Sequence, residues 1–518
     1  MDDFARLALR TLRRVRALVA AHPTISLATA GFLAGWLTVI AGGRVGTVRS
    51  VIPLTDWLGL TSLKGRASND YLPGAIMLLG IVVLVLLWML AIRLHHSGST
   101  TEGRVWAMSA AWVTPFAIGP PLLSNDVFTY SAQGLLARNG FDPYKVGPSA
   151  LGNVHAVAAV DPSWRSVASP YGPLATTIQH LAVAISGGSP VGATIIFRML
   201  GIACLVAIGL LAADVAGPRR VQALTMTILN PLLLLQVVSA AHLDGVMCAL
   251  LLGAIVAGNQ RRWLLAIILA AAAGSIKAPA YLGILALIAL HQAYRPAIDW
   301  RALGRDIAAA AVGVVGFSLL VPDGWGWIRA LNIPALGHTS LAPASLIADV
   351  ITPLVPAASY DDLAAGGRIT ALIVAGCIVV YLTITASRRA LDRTVGYGIL
   401  AVGLLSPVVY PWYLLGGVVC LVPAARGARR DWLVWLSAVG CLISPPGFSY
   451  TVSTTLSFTA LGACLAVIAP RVIARRRVRV ATPRNTIETR RFAESGRSAA
   501  DPTAAPVGES VPTLSAGG

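Results

Sequence analysis

Apolar runs of roughly 15–23 residues recur along most of this chain, the length that crosses a bilayer as a helix. They predict helices near 24–43, 73–93, 105–121, 191–213, 221–239, 244–258, 262–275, 278–293, 306–321, 368–387, 394–409, 411–425, 432–445 and 452–470. Two further apolar stretches fit a span less well. "GPLATTIQHLAVAISGG" (172–188) carries Gln179 and His180, and "ASLIADVITPL" (344–354) is too short. Counting the first as a span puts "GPRR" (217–220) outside and flips every later loop. Counting both as interfacial helices gathers the arginine clusters on one side: Arg6–Arg16, Arg93/Arg104, Arg219/Arg220, Arg261/Arg262, Arg295/Arg301/Arg305, Arg388/Arg389/Arg393, Arg426/Arg429/Arg430 and Arg471–Arg479. Loops rich in Lys and Arg stay cytoplasmic, so the second topology is expected. It is an all-α polytopic membrane protein of the plasma membrane with about fourteen spans and both termini inside. Residues 1–23 form a basic cytoplasmic start, 24–470 the membrane body with an extracytoplasmic loop at 122–190, and 471–518 a basic tail. That tail becomes rich in Ala, Pro, Ser and Gly, a disordered composition.

Composition agrees with a bilayer as solvent. Only 12% of residues are charged, where soluble domains have about 25%. The formal charge of +18 resembles a nucleic-acid binder, but the arginines sit beside apolar runs and no nucleic-acid motif accompanies them. The six cysteines lie inside apolar runs without metal spacing and read as small core residues. The basic N-terminus and the run at 24–43 read as an uncleaved first span, since that run is long for a signal peptide and more runs follow.

The face opposite the arginines collects the unusual residues. It holds "SNDVFTYSAQGLLAR" and "FDPY" (124–144), "SPYGPL" (169–174), "AAHLDG" (240–245), "GSIKAPAY" (274–281), "VVYPWYLL" (408–415) and "SPPGFSY" (444–450). Asp126 has two readings. It is a solvated or capping acid in the first turn of a helix, with Ser124 or Asn125 as the cap. Alternatively it is an interfacial carboxylate able to take a proton from a hydroxyl. Residues 127–138 fit a helix lying flat at the interface, with Val127, Tyr130, Gly134 and Ala137 on one face. Tyr144 and Tyr171 belong either to the headgroup belt or to a sugar-stacking surface. Lys277 is either a snorkelling lysine or a phosphate contact. His242 and Asp244 form a turn or orient one another near a phosphate or hydroxyl. Tyr410, Trp412 and Tyr413 form a belt hairpin or a sugar platform. No Gly-rich phosphate loop, nucleophile elbow, zinc motif or DxD pair is present in the sequence.

These segments, in this order, resemble a known family. "LLSNDVFTYSAQGLLARNGFDPYKVGPS", "SPYGPL", "NPLLLLQVVSAAHLDGVMCALLLG", "SIKAPAYL" and "LLSPVVYPWYLL" are similar to actinobacterial polyprenol-phosphate-mannose-dependent α-1,6-mannosyltransferases, the GT-C enzymes lettered A and B. The likeness runs from about Pro120 to Leu415. It implies a GT-C body with interfacial helices in its first large loop. It implies transfer of mannose from a polyprenyl-phosphate donor to the 6-hydroxyl of a mannan or lipomannan acceptor, with inversion and without metal, cofactor or nucleic acid. Asp126 is then the base, and Lys277, with His242 or Arg138, meets the donor phosphate. Asn125, Tyr130, Tyr144, Tyr171, Asp244, Tyr410, Trp412 and Tyr413 are the remaining substrate-contact candidates. The family often has His-Asn-Asp/Glu where this chain has His242-Leu243-Asp244, which puts any role for Leu243 in doubt. Transfer of another lipid-linked sugar, arabinose for one, and a lipid-linked sugar flippase are the competing readings.

Overall fold

The apolar runs become helices, and several of their starts are set by side-chain caps rather than by hydropathy. The computed structural model describes residues 22–43, 57, 71–95, 100–336, 342–355 and 359–443. All belong to the first of two compact units, Met1–Leu461. The expected span at 452–470, "SPPGFSY", the Arg6–Arg16 cluster and the 471–518 tail lie outside the described residues. Among the described residues every regular element is helical.

The first three helices are α1 (Pro23–Gly42), α2 (Tyr71–His95) and α3 (Glu102–Ile118). Small residues let them meet closely, the usual packing device where lipid removes the hydrophobic drive. Gly31 leaves room for the Trp112 ring, whose Nε1 donates to the Leu27 carbonyl at 3.0 Å. Gly80 of α2 fits against Thr38 of α1. Then comes α4 (Asp126–Arg138), a long connection, and α5 (Pro173–Ile185). Each of these two has 13 residues. At 1.5 Å per residue they reach about 20 Å, short of the roughly 30 Å hydrocarbon core.

The next segment is α6 (Pro190–Ala216), α7 (Arg220–Thr227) and α8 (Pro231–Ser239). The expected single helix at 221–239 is broken at Asn230. Pro231 has no N–H to continue α7, and the Asn230 side chain accepts from the Leu232 amide at 3.0 Å as a cap. The last six residues of α8 are wound as a π-helix. Helix α9 (Asp244–Asn259) then leaves at 120° to α8. It packs on α6 and on α10 (Trp263–Gly274). Beyond lie α11 (Leu282–Ala293), α12 (Trp300–Ser318), α13 (Pro343–Ile351), α14 (Tyr360–Ile384), α15 (Leu391–Leu404), α16 (Leu415–Leu421) and α17 (Gly427–Leu442). Two starts precede the expected ones because a cap, not apolarity, begins the helix. Asp299 accepts from the Arg301 and Ala302 amides, and Ser359 accepts from the Asp362 amide.

Of the expected fourteen spans, length and composition select four in the described residues: Pro23–Gly42, Leu72–Leu94, Pro190–Thr227 and Tyr360–Ile384. The bent pair α8–α9 makes a fifth if it is one span. Pro173–Ile185, Trp263–Gly274, Ala278–Ala293 and Pro411–Leu421 are apolar but shorter. Four of the five described cysteines are buried as expected, and Cys377 on α14 is exposed instead.

Helix α4 is more enclosed than one apolar face requires, for Val127 to Gly134 and Leu136 are all buried. It is roofed by α5 and by the single turns at Pro148–Leu151 and His155–Ala158. A Cβ on Gly134 would lie 2.3 Å from the Gln179 carbonyl oxygen, so only glycine permits this approach of α4 to α5.

Candidate functional site

Asp126 opens α4, but its side chain is not the helix cap. The Ser124 hydroxyl accepts from the Asp126 amide at 3.1 Å, and Asn125 makes no side-chain cap bond. The carboxylate is therefore available to the interior. Its side chain keeps 23% of its surface, and burial raises its pKa from 3.8 to about 6. Ser124, Lys277 and Tyr171 hold it down, while the charge of Asp244 adds to the rise. Lys277 and Asp244 thus lie within electrostatic reach of Asp126.

Three side chains from separate segments close around the carboxylate. The Tyr171 hydroxyl donates to Asp126 Oδ2 at 3.2 Å. Tyr130, one turn further along α4, places its hydroxyl 3.2 Å from that of Tyr171 and 3.2 Å from His242 Nδ1. His242 Nδ1 in turn lies 3.6 Å from Asp126 Oδ2. Both phenols are pushed well above their ordinary pKa, first by burial, so they stay protonated. The His242 ring is fixed by stacking on Trp412, with centroids 4.2 Å apart, and Trp412 stacks on Tyr410 at 4.5 Å.

The second charge centre lies beside it. Lys277 Nζ donates to Asp244 Oδ1 at 2.8 Å and sits 4.4 Å from the centroid of the Tyr413 ring. Asp244 is buried at 1% exposure, while Lys277 keeps 17% of its side-chain surface. The backbone joins this centre to the first. Gly172 and Leu174 donate to the Ile276 and Ser275 carbonyls at 3.1 and 3.0 Å. A Cβ on Gly172 would meet the Ser275 carbonyl oxygen at 2.3 Å. Tyr171 and Lys277 are thereby held on two backbones in direct contact.

Unusual backbone leads into both Asp126 and His242. Leu123 has φ 71° and Ala241 φ 55°, a left-handed conformation costly for residues with a Cβ. The first turns the chain into α4 and the second turns α8 towards His242. Arg198, 2% exposed, secures that turn. It donates to the Val238 and Ser239 carbonyls at the end of α8, at 3.2 and 3.0 Å, and to Gly119 after α3, at 2.6 Å. These carbonyls carry the negative ends of helix dipoles, which suit a guanidinium.

The structure gathers Asp126, Tyr130, Tyr171, His242, Asp244, Lys277, Tyr410, Trp412 and Tyr413. Two predicted residues point elsewhere. Arg138, at the far end of α4, donates to the Val183 carbonyl of α5 at 3.3 Å and is not paired with Asp126 or Lys277. Tyr144 is buried with its hydroxyl 3.2 Å from Thr176 Oγ1, serving the loop's attachment to α5. Sequence reasoning missed Gln236 and Ser239, buried residues near His242 with Gln236 Oε1 and Ser239 Oγ unpartnered. Their signal was available, as two polar residues inside the apolar run "PLLLLQVVS". Among the described residues no three His, Cys, Asp or Glu side chains converge to hold a metal ion.

Comparison with known proteins identifies the family. A family described as alpha-(1->6)-mannopyranosyltransferase, N-terminal domain, matches residues 28–293, which contain Asp126, His242, Asp244 and Lys277. The chain is 30% identical over 473 residues to alpha-(1->6)-mannopyranosyltransferase A of Mycobacterium tuberculosis, covering 87% of this chain and 91% of the relative. It is 26% identical to alpha-(1->6)-mannopyranosyltransferase B of Corynebacterium glutamicum, over 74% and 71% of the two chains. It is 27% identical to alpha-(1->6)-mannopyranosyltransferase A of the same organism, over 71% and 82%. No solved structure matches the chain.

Proposed function

The chain belongs to the alpha-(1->6)-mannopyranosyltransferase family, and we propose that it moves mannose from polyprenyl-phosphate-mannose to the 6-hydroxyl of a mannan or lipomannan acceptor at the extracytoplasmic membrane surface. The observation that carries this reading is a carboxylate and a lysine close enough to act on one another electrostatically, beside short helices. Asp126 is a base placed to take a proton, and Lys277 is a cation placed to meet a phosphate.

In this mechanism the donor enters from the bilayer with its phosphate against Lys277. An ammonium has three donors, and Asp244 occupies one of them. The acceptor 6-hydroxyl gives its proton to Asp126 as its oxygen attacks the anomeric carbon. The bond from that carbon to the phosphate oxygen breaks, and its electron pair leaves with polyprenyl phosphate. Lys277 stabilises the charge that grows there in the transition state. A β-linked donor inverts once and gives an α product, so one carboxylate suffices and no glycosyl-enzyme intermediate forms. The cation that assists departure is Lys277, so the reaction as proposed needs no metal. Helices α4 and α5 serve as interfacial elements of a GT-C body, and the shorter apolar helices complete its membrane-spanning set.

A membrane assay tests this reading. Labelled polyprenyl-phosphate-mannose and short α-1,6-mannoside acceptors are incubated with the protein, and the product linkage is determined. A new α-1,6-linked mannose is expected. Its absence, with labelled arabinose transferred from polyprenyl-phosphate-arabinose instead, would overturn the choice of sugar.

A further inference from the structure

His242 and Asp244, near Lys277, each keep a buried polar atom that no protein group meets. The positions of the protons follow from the contacts around Asp126. A carboxylate base is ionised before it acts and can only accept hydrogen bonds. Tyr171 therefore gives its single O–H to Asp126 Oδ2. The 3.2 Å contact between the phenols then takes its proton from Tyr130. With that proton committed, the Tyr130 oxygen accepts from His242 Nδ1, 3.2 Å away, and the imidazole carries its hydrogen there. This tautomer also turns an N–H, not a lone pair, towards Asp126 Oδ2 at 3.6 Å. Neutral imidazole has one N–H, so Nε2 is left as an acceptor. It is buried and unpartnered. Asp244 repeats the pattern: Oδ1 accepts from Lys277, while Oδ2 is buried without a partner.

Buried polar atoms normally find partners, so two orphaned acceptors near Lys277 point to a ligand that donates. A phosphodiester has no proton to give and would be repelled by both. Sugar hydroxyls donate. We propose that His242 Nε2 and Asp244 Oδ2 accept hydrogen bonds from two ring hydroxyls of the sugar whose phosphate Lys277 holds, and that this pair selects the sugar. The proposal rests on the transfer reaction proposed above. It assigns His242 to the sugar and leaves the phosphate to Lys277. Tyr130 becomes a positioning residue, because it fixes the tautomer of His242.

The experiment uses the full chain in nanodiscs and polyprenyl-phosphate-mannose analogues lacking the hydroxyl at C2, C3 or C4, one at a time. A site built to bond a hydroxyl rejects the analogue without it strongly, so kcat/KM should fall by about 100-fold or more for two of the three. In His242→Ala one of those penalties should shrink to about tenfold or less. Inhibition by sugar-free polyprenyl phosphate should stay as in the wild type, which also shows that the variant is folded. Tyr130→Phe keeps the ring and should lessen the same penalty. The proposal is overturned if no deoxygenated donor is penalised more than about tenfold by the wild type. It is equally overturned if His242→Ala weakens polyprenyl-phosphate inhibition and leaves every penalty intact. Should His242→Ala not fold, the wild-type penalties and Tyr130→Phe decide. A wild type that transfers no mannose from the natural donor refutes the transfer reaction itself, a separate result.

Discussion

Replacing Asp126 by Asn separates the chemistry of the carboxylate from its effect on the fold. Burial raises its pKa from 3.8 to about 6, and at about 1.4 kcal/mol per unit this amounts to roughly 3 kcal/mol. The folded protein binds this proton more tightly than the unfolded chain does. The stability it contributes is therefore greatest in acid, falls as the pH rises through the window from 3.8 to about 6, and above that the full penalty remains. An Asn side chain has nearly the same shape and carries no charge to desolvate. Its carbonyl oxygen still accepts from Tyr171. What it gives up is a negative charge in the first turn of α4, worth about 0.3–1 kcal/mol. The smaller term loses, so Asp126→Asn should be more stable than the wild type by about 2 kcal/mol near neutral pH. Its turnover should fall by about 10²–10⁴, the usual contribution of a general base. Apparent melting temperature in detergent is measured across the acid range, alongside mannosyl transfer at matched expression. A rate within a few-fold of the wild type would remove Asp126 from the chemistry. A lower melting temperature at neutral pH would show that the charge is needed by the fold.

How much of this site the sequence reveals depends on the kind of residue. Asp126, His242 and Lys277 stand out because each is a polar group where an apolar run ends, and lipid makes such a group expensive without a purpose. The partnership of Tyr130 and Tyr171 is not legible. It depends on a loop returning 41 residues later and docking its backbone on Ser275 and Ile276. Arg138 enters the sequence reading only through the resemblance, as a phosphate contact. It and Asp126 sit at opposite ends of the 13-residue α4, and the Arg138 side chain turns to α5. "DPY" and "SPYGPL" look alike as turns, while Tyr144 meets Thr176 and only Tyr171 bonds the carboxylate. Hydropathy likewise locates the apolar middle of each helix. It misses the Asn230–Pro231 break and the 120° bend after α8, which depend on a cap and on one left-handed alanine.

Four further outcomes follow from the same geometry. The pH profile of kcat/KM should fall about tenfold per unit below about pH 6, where Asp126 becomes protonated; a flat profile down to pH 5 would place the proton elsewhere. Lys277→Ala should weaken inhibition by polyprenyl phosphate by about 10- to 100-fold, since a charge-assisted bond to phosphate is lost and Asp244 is left buried and unpaired; unchanged inhibition would sink the phosphate role. Arg138→Ala should keep turnover within a few-fold of the wild type, because its guanidinium serves a carbonyl of α5, and a loss above tenfold would return it to the site. The last concerns the join between the two charge centres. In Gly172→Ala the new Cβ would lie 2.3 Å from the Ser275 carbonyl oxygen, far inside contact distance and against backbone that cannot rotate away. The pairing of Gly172 with Ile276 must therefore open, and Tyr171 moves off the segment that carries Lys277. A misplacement of about 1 Å between reacting groups costs on the order of 100-fold in rate. Turnover should fall by that order while sugar-free polyprenyl phosphate, which needs only Lys277, still inhibits. Loss of both together would mean that Gly172 supports the phosphate centre itself rather than its distance from Asp126.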